Sequence, residues 1–192
     1  MPAYLREIAN ELAHLQQPVD FDKRFRLTPS ERLPELQSPG TLAIGVASLK
    51  SDGRSLFALV CQKEAAPRFS MIRLMNRINC SAMVTPLASG TIIFPDDNVR
   101  RFVIIYDRPS GNRLVQQYGQ PVSKMGEEEI LTGVIHNLLP AFRELSTRTL
   151  MHRAIRPDNV YITSDGRATL GECLSPPAAY AQPVLYGTSP LC

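Results

Sequence analysis

The run from His152 to Leu170 limits the fold of this chain more than any other stretch. Val160-Tyr161-Ile162 and Ala168-Thr169-Leu170 are short apolar runs on either side of Ser164-Asp165-Gly166-Arg167. An Asp-Gly pair between two such runs predicts a β-hairpin, because the tight turn needs backbone angles that glycine adopts without strain. Ahead of the hairpin, His152-Arg153-Ala154-Ile155-Arg156-Pro157-Asp158-Asn159 reads as a loop. Upstream of the loop, Ile130, Val134, Leu138, Phe142 and Leu145 recur at helical spacing and mark a long buried face up to about Thr147. Ser123 is a candidate cap for this helix, and Glu127, Glu128 and Glu129 suit the positive end of its dipole. Pro140 falls inside the run and should kink it.

Before this block the pattern is strands around one helix. Thr41 to Ser48 and Leu56 to Cys61 are apolar runs around Ser51-Asp52-Gly53-Arg54, a second hairpin. Phe69 to Ile78 sets Met71, Ile72, Leu74, Met75 and Ile78 on one side of a helix. Thr91 to Phe94 and Phe102 to Tyr106 read as strands separated by the turn formers Pro95-Asp96-Asp97-Asn98. Leu5, Ile8, Leu12 and Leu15 share one face of an N-terminal helix from Tyr4 to Gln16, ended by Pro18. That helix either packs on its own domain or docks to a partner or a second copy. Residues 18–40 carry Pro18, Pro29, Pro34 and Pro39 without sustained periodicity, and read as an extended arm with short helical turns near Ser30 to Leu36.

At 192 residues and 44% hydrophobic content the chain can bury a real core as one domain or slightly more. Net charge is +3, with Lys and Arg dispersed rather than arrayed in a stripe, so nucleic acid is not an expected partner. The N-terminus lacks a signal-peptide core and no run approaches roughly 18 apolar residues. A cytoplasmic location is expected, with membrane attachment only through a span beyond residue 192. Cys61, Cys80, Cys173 and Cys192 form no Cys-x-x-Cys pair and have no His at ligand spacing. They read as buried thiols in a reducing compartment. His136 reads as an ordinary helix residue.

The loop, the hairpin after it and the long helix before it resemble a protein kinase of the bacterial serine/threonine type. The likeness covers about Glu127 to Leu174 well and Thr41 to Tyr106 loosely. It implies an α+β fold: a helix and proline-spaced arm at 1–40, a small antiparallel-sheet N-lobe at 41–107, and an incomplete helical C-lobe at 108–192. Tyr186-Gly187-Thr188-Ser189-Pro190 echoes the end of an activation segment, after which the chain stops short of the remaining large-lobe helices.

The resemblance also assigns roles. In the loop pattern H-R-D-L-x-x-x-N, the Asp is the catalytic base and the Asn holds Mg²⁺. His152, Arg153 and Asn159 match, but Ala154 stands in place of the Asp, and a methyl group accepts no proton. The metal-binding D-F-G falls on Glu172-Cys173-Leu174. The lysine that pairs the ATP phosphates falls on Val60 by the hairpin offset, or on Lys63 in a shifted register. Its partner Glu has no candidate, since Ala65 to Pro95 contains no Asp or Glu. The helix there offers Arg68, Arg73 and Arg77, a solvated basic face or, more sharply, a site for an acidic group. Only Gly40 and Gly45 lie where a G-x-G-x-x-G loop would cover phosphates.

Base, lysine, glutamate partner and glycine loop depart together. That implies a pseudokinase, a signalling module that binds or regulates without catalytic residues, metal or cofactor, in which His152 and Arg153 brace the loop. The alternative is a divergent active kinase or nucleotide-binding protein, holding Mg²⁺ and ATP through Asn159, Glu172 and Lys63. A third reading is an unrelated α+β interaction domain. A protein partner is expected, or a homodimer through the N-terminal helix or the face of the long helix that a complete lobe would cover.

Overall fold

A computed structural model describes residues 18–115, apart from 51, 64 and 96, and residues 124–174. The expected helix at Tyr4 to Gln16, the Ser123 cap and the Tyr186 to Pro190 segment lie outside the described residues. The chain divides into two compact units, Met1–Ala66 with Leu87–Arg108 and Pro67–Pro86 with Pro109–Cys192.

The first unit is built on a six-stranded sheet. Its strands are β1 (Val19–Phe21), β2 (Phe25–Arg32), β3 (Thr41–Ser48), β4 (Leu56–Cys61), β5 (Pro86–Phe94) and β6 (Val99–Asp107), in the order β1-β2-β3-β4-β6-β5. β3 and β4 form the expected hairpin, with Thr41 opposite Cys61 and Val46 opposite Leu56. β4 then pairs antiparallel with β6. Side chains alternate across the pleat. One face gathers Phe25, Leu27, Ile44, Ala58, Val60, Val103 and Ile105 into an apolar cluster with Ala88, Ile92 and Phe94 of β5. On the opposite face the Phe57 and Tyr106 rings stack, with centroids 5.4 Å apart.

The structure corrects the reading of residues 18–40. They are not an arm beside the sheet, because β1 and β2 are two of its strands. Phe25 and Leu27 alternate inward as a half-buried strand requires. Pro29 obscured this pattern. The ladder runs from Thr28 opposite Gly45 to Arg32 opposite Ile44, so Pro29-Ser30-Glu31 bulges out where a missing N–H costs no ladder bond. The expected helical turn is a single 3-10 turn at Pro34–Leu36. The sheet also curls on itself: the Phe21 ring of β1 sits over Gly90 of β5, where an added Cβ would lie 2.8 Å from it.

In the second unit, α1 (Phe69–Met75) ends a turn earlier than the sequence pattern suggests. It groups with this unit rather than with the sheet-bearing one expected at 41–107. Met71, Ile72 and Met75 face inward, while Leu74 is exposed. The long helix, α2, runs over residues 127–147. It is α-helical at Glu127–Glu129 and His136–Thr147 and π-helical at Ile130–Ile135. Pro140 has no N–H for a carbonyl of the preceding turn, and the widened segment lies just ahead of it. Asn137 spans part of this segment, donating to Thr132 O at 2.9 Å and Gly133 O at 2.8 Å. Of the expected apolar face Leu138 and Leu145 are buried, Val134 and Phe142 are half-buried and Ile130 is exposed; outside it Ala141 is buried, and Leu131 and Ile135 are exposed.

β8 (Val160–Ile162) and β9 (Ala168–Leu170) form the expected Asp-Gly hairpin, with Val160 opposite Leu170 and Ile162 opposite Ala168. β7 (Asn112–Arg113) adds to β8. On the far side of β9, Leu170 N–H donates to Ala82 O at 2.9 Å and Val84 N–H to Leu170 O at 2.8 Å. No described helix is long and apolar enough to cross a membrane.

Candidate functional site

The site lies within the second unit, where α2 leads into the loop before β8. Thr149 closes the helix at φ 56, an uncommon conformation for a β-branched residue. Leu150 N–H reaches back to Leu145 O at 2.9 Å. The chain then runs on without regular structure, turning through the left-handed region at Arg153 (φ 60), with His152, Ala154 and Arg156 buried and Met151, Arg153 and Ile155 outward. A 3-10 turn at Pro157–Asn159 delivers Asn159 to the start of β8.

His152 is bonded on both ring nitrogens. Nδ1 accepts from Ala154 N–H at 3.3 Å, and Nε2 lies 3.0 Å from Gly171 O. A carbonyl only accepts, so the proton sits on Nε2. Burial pushes this imidazole down to about 4, against an ordinary 6.5, and it is neutral at physiological pH. Asn159, 2% exposed, donates from Nδ2 to Ala154 O at 2.8 Å and to Glu172 O at 2.9 Å. Its Oδ1 faces Gly171, where any Cβ would overlap it. Arg156 and Asp158 pair at 2.9 Å.

The segment after β9 folds back onto this loop. Gly171 N–H donates to Asn159 O at 2.7 Å. The Glu172 side chain, 4% exposed, turns back to accept Leu174 N–H at 2.8 Å. Cys173 is fully buried, which pushes its thiol up to about 12 and leaves it protonated. Among the described residues Cys61, Cys80 and Cys173 are free thiols.

The first unit holds the remaining positions. β4 reads Leu56-Phe57-Ala58-Leu59-Val60-Cys61 and is buried throughout, so no lysine stands on either of its faces. Val60 belongs to the apolar cluster, and Lys63 lies exposed past the strand's end. Four amides of the loop between β2 and β3 are spent internally. Leu33, Leu36 and Gln37 donate to backbone carbonyls, Ser38 N–H donates to Thr41 Oγ1 at 3.1 Å, and Pro34 and Pro39 have no N–H. A loop that cradles phosphates presents such amides unbonded.

Ala154, Asn159, Glu172 and Cys173 thus come together in one cluster, while Val60 and Lys63 belong to the other unit. Asn159 and Glu172 are the residues of the cluster that would hold Mg²⁺ with a nucleotide, which the kinase resemblance implies. The Glu172 carboxylate is committed to a backbone amide, the Asn159 carboxamide faces backbone, and no described group of three His, Cys, Asp or Glu converges to hold a metal.

The sequence pattern did not reveal the role of Arg68. It is not part of a solvated face, unlike the exposed Arg73 and Arg77. Nη1 donates to His152 O at 2.7 Å and Cys173 O at 2.9 Å, and Nη2 to Met151 O at 3.0 Å. An arginine at a helix start carries no linear signal for such contacts, since its acceptors lie 83 to 105 residues away.

No protein-family model matches the sequence, and no curated protein matches it. Solved structures do. The PAN3 pseudokinase of Neurospora crassa is 18% identical with a TM-score of 0.59, covering 90% of this chain and 47% of its own. A mutant of the same pseudokinase is 17% identical with a TM-score of 0.58, covering 99% and 50%. A point mutant of the Mycobacterium tuberculosis PknI kinase domain is 18% identical with a TM-score of 0.57, covering 81% and 61%. The chain therefore spans about half the length of the PAN3 structures and 61% of the PknI domain. These matches, together with the sheet order and the helix–loop–hairpin block, give the chain a protein kinase-like α+β fold.

Proposed function

We propose that this protein is a pseudokinase, a kinase-like module that binds or regulates a protein partner and transfers no phosphoryl group. The observation that carries the reading is the loop. At the position of the catalytic base stands Ala154, 1% exposed, with its neighbours His152 and Asn159 bonded to backbone. Phosphoryl transfer rests on positioning and charge stabilisation by groups acting as a unit. Here the base is a methyl group, the strand lysine is an apolar residue, the helix has no carboxylate and four amides of the loop in the phosphate-loop position are bonded inward.

The test is transfer of radiolabel from ATP to a generic protein substrate, with thermal melting in the presence and absence of Mg-ATP. No transfer and an unchanged melting temperature are expected, because only a ligand that binds the folded state raises it. Transfer that disappears when Glu172 or Asn159 is replaced would establish the active-kinase alternative instead.

A further inference from the structure

Four consecutive carbonyls after β9 are each taken by a donor outside any ladder. Gly171 O lies against His152 Nε2, Glu172 O receives Asn159 Nδ2, Cys173 O receives Arg68 Nη1, and Leu174 O receives Arg68 N–H at 2.8 Å. Two carbonyls of the facing loop, Met151 O and His152 O, are also held by Arg68. Residues 151–154 and 171–174 form no strand or helix of their own. These bonds hold them together, and Arg68 supplies four, three from its guanidinium and one from its backbone N–H. A guanidinium suits this role, because its planar fork offers five donors in fixed directions and accepts nothing.

We propose that Arg68 is a latch: it fixes both loops in a single conformation without metal or nucleotide and ties them to the start of α1, so that they release together when it is withdrawn. In the kinase-like reading these loops would answer to the metal. The latch makes them answer to the position of α1 instead, which is the form regulation by a binding partner would take here. The proposal rests on that reading for its meaning, but its test does not.

The test is hydrogen exchange resolved by NMR on the full chain, comparing wild type with Arg68→Met and Arg68→Lys. Losing the guanidinium removes the three bonds that hold Met151 O, His152 O and Cys173 O together, two of them part-buried, so exchange at the Ala154, Gly171 and Leu174 amides should rise about tenfold or more. Ladder amides of β8 and β9 should keep their wild-type rates. Arg68→Lys should fall between, since an ammonium cannot reproduce the fork. Leu145→Ala, brought to the same melting temperature as Arg68→Lys, controls for general destabilisation. The same exchange pattern in both variants would overturn the latch, as would wild-type rates in Arg68→Met. Slower exchange of the wild-type loops on adding Mg-ADP would overturn it too, since the ligand rather than Arg68 would then set them. Radiolabel transfer with the latch pattern intact would instead sink the non-enzymatic reading alone.

Discussion

Acid should weaken this protein through one imidazole. His152 is neutral in the folded chain, with Nδ1 accepting from Ala154 N–H and Nε2 against Gly171 O. Burial pushes it down to about 4, whereas its ordinary value is 6.5. The folded state thus binds fewer protons than the unfolded state between those limits. The stabilising contribution is fully present above pH 6.5, shrinks as pH falls towards 4 and changes no further below that. At 1.36 kcal/mol for each tenfold difference in proton affinity, the full effect is about 3 kcal/mol, and about 2 kcal/mol is lost between pH 7.5 and pH 5. The assay is urea unfolding followed by circular dichroism, since the chain has no tryptophan. His152→Gln is the reference. It removes the titrating group but keeps the other two histidines and the carboxylates whose own titration weakens the fold in acid. Wild type should lose about 2 kcal/mol more than His152→Gln over this range. Parallel curves for the two proteins would refute the neutral, doubly bonded imidazole.

Two substitutions test the loop directly. Ala154→Asp restores the missing letter but places a carboxylate at a position 1% exposed; it should confer no phosphoryl transfer and cost about 3–5 kcal/mol by chemical denaturation, as an uncompensated buried charge does. Asn159→Ala should cost about 2–4 kcal/mol by leaving Ala154 O and Glu172 O without a donor, and Asn159→Asp should cost more, with no recovery in Mg²⁺. A metal ligand at this position would show the reverse order in the presence of the ion.

Turn chemistry made much of the fold legible. Asp52-Gly53 and Asp165-Gly166 located both hairpins, and the strands of each fell on the residues named from the sequence. Alternation failed where a bulge interrupted it: Pro29 hid β2, and Val19–Phe21 was too short to show a period. The spacing of the apolar residues did not show that Ile130–Ile135 is π-helical or that Ile130 faces solvent while Leu138 is buried. In the site, the sequence identified what was missing, the carboxylate at 154 and any acid between Ala65 and Pro95. It did not identify what took over. Arg68, Gly171 and the inward turn of Glu172 depend on backbone positions remote in the chain, which residue spacing does not encode.

The meeting of Phe21 with Gly90 has a practical bearing on dissecting this protein. The first and last strands of the small sheet lean on each other, so its stability is shared around a nearly closed ring. A fragment cut at Thr41, where the hydrophobic runs first become obvious, would strip away Phe25 and Leu27 and leave Ile44 and the whole flank of β3 wet. Such a piece should precipitate or pair with its own kind, whereas one begun upstream of Val19 keeps the ring shut.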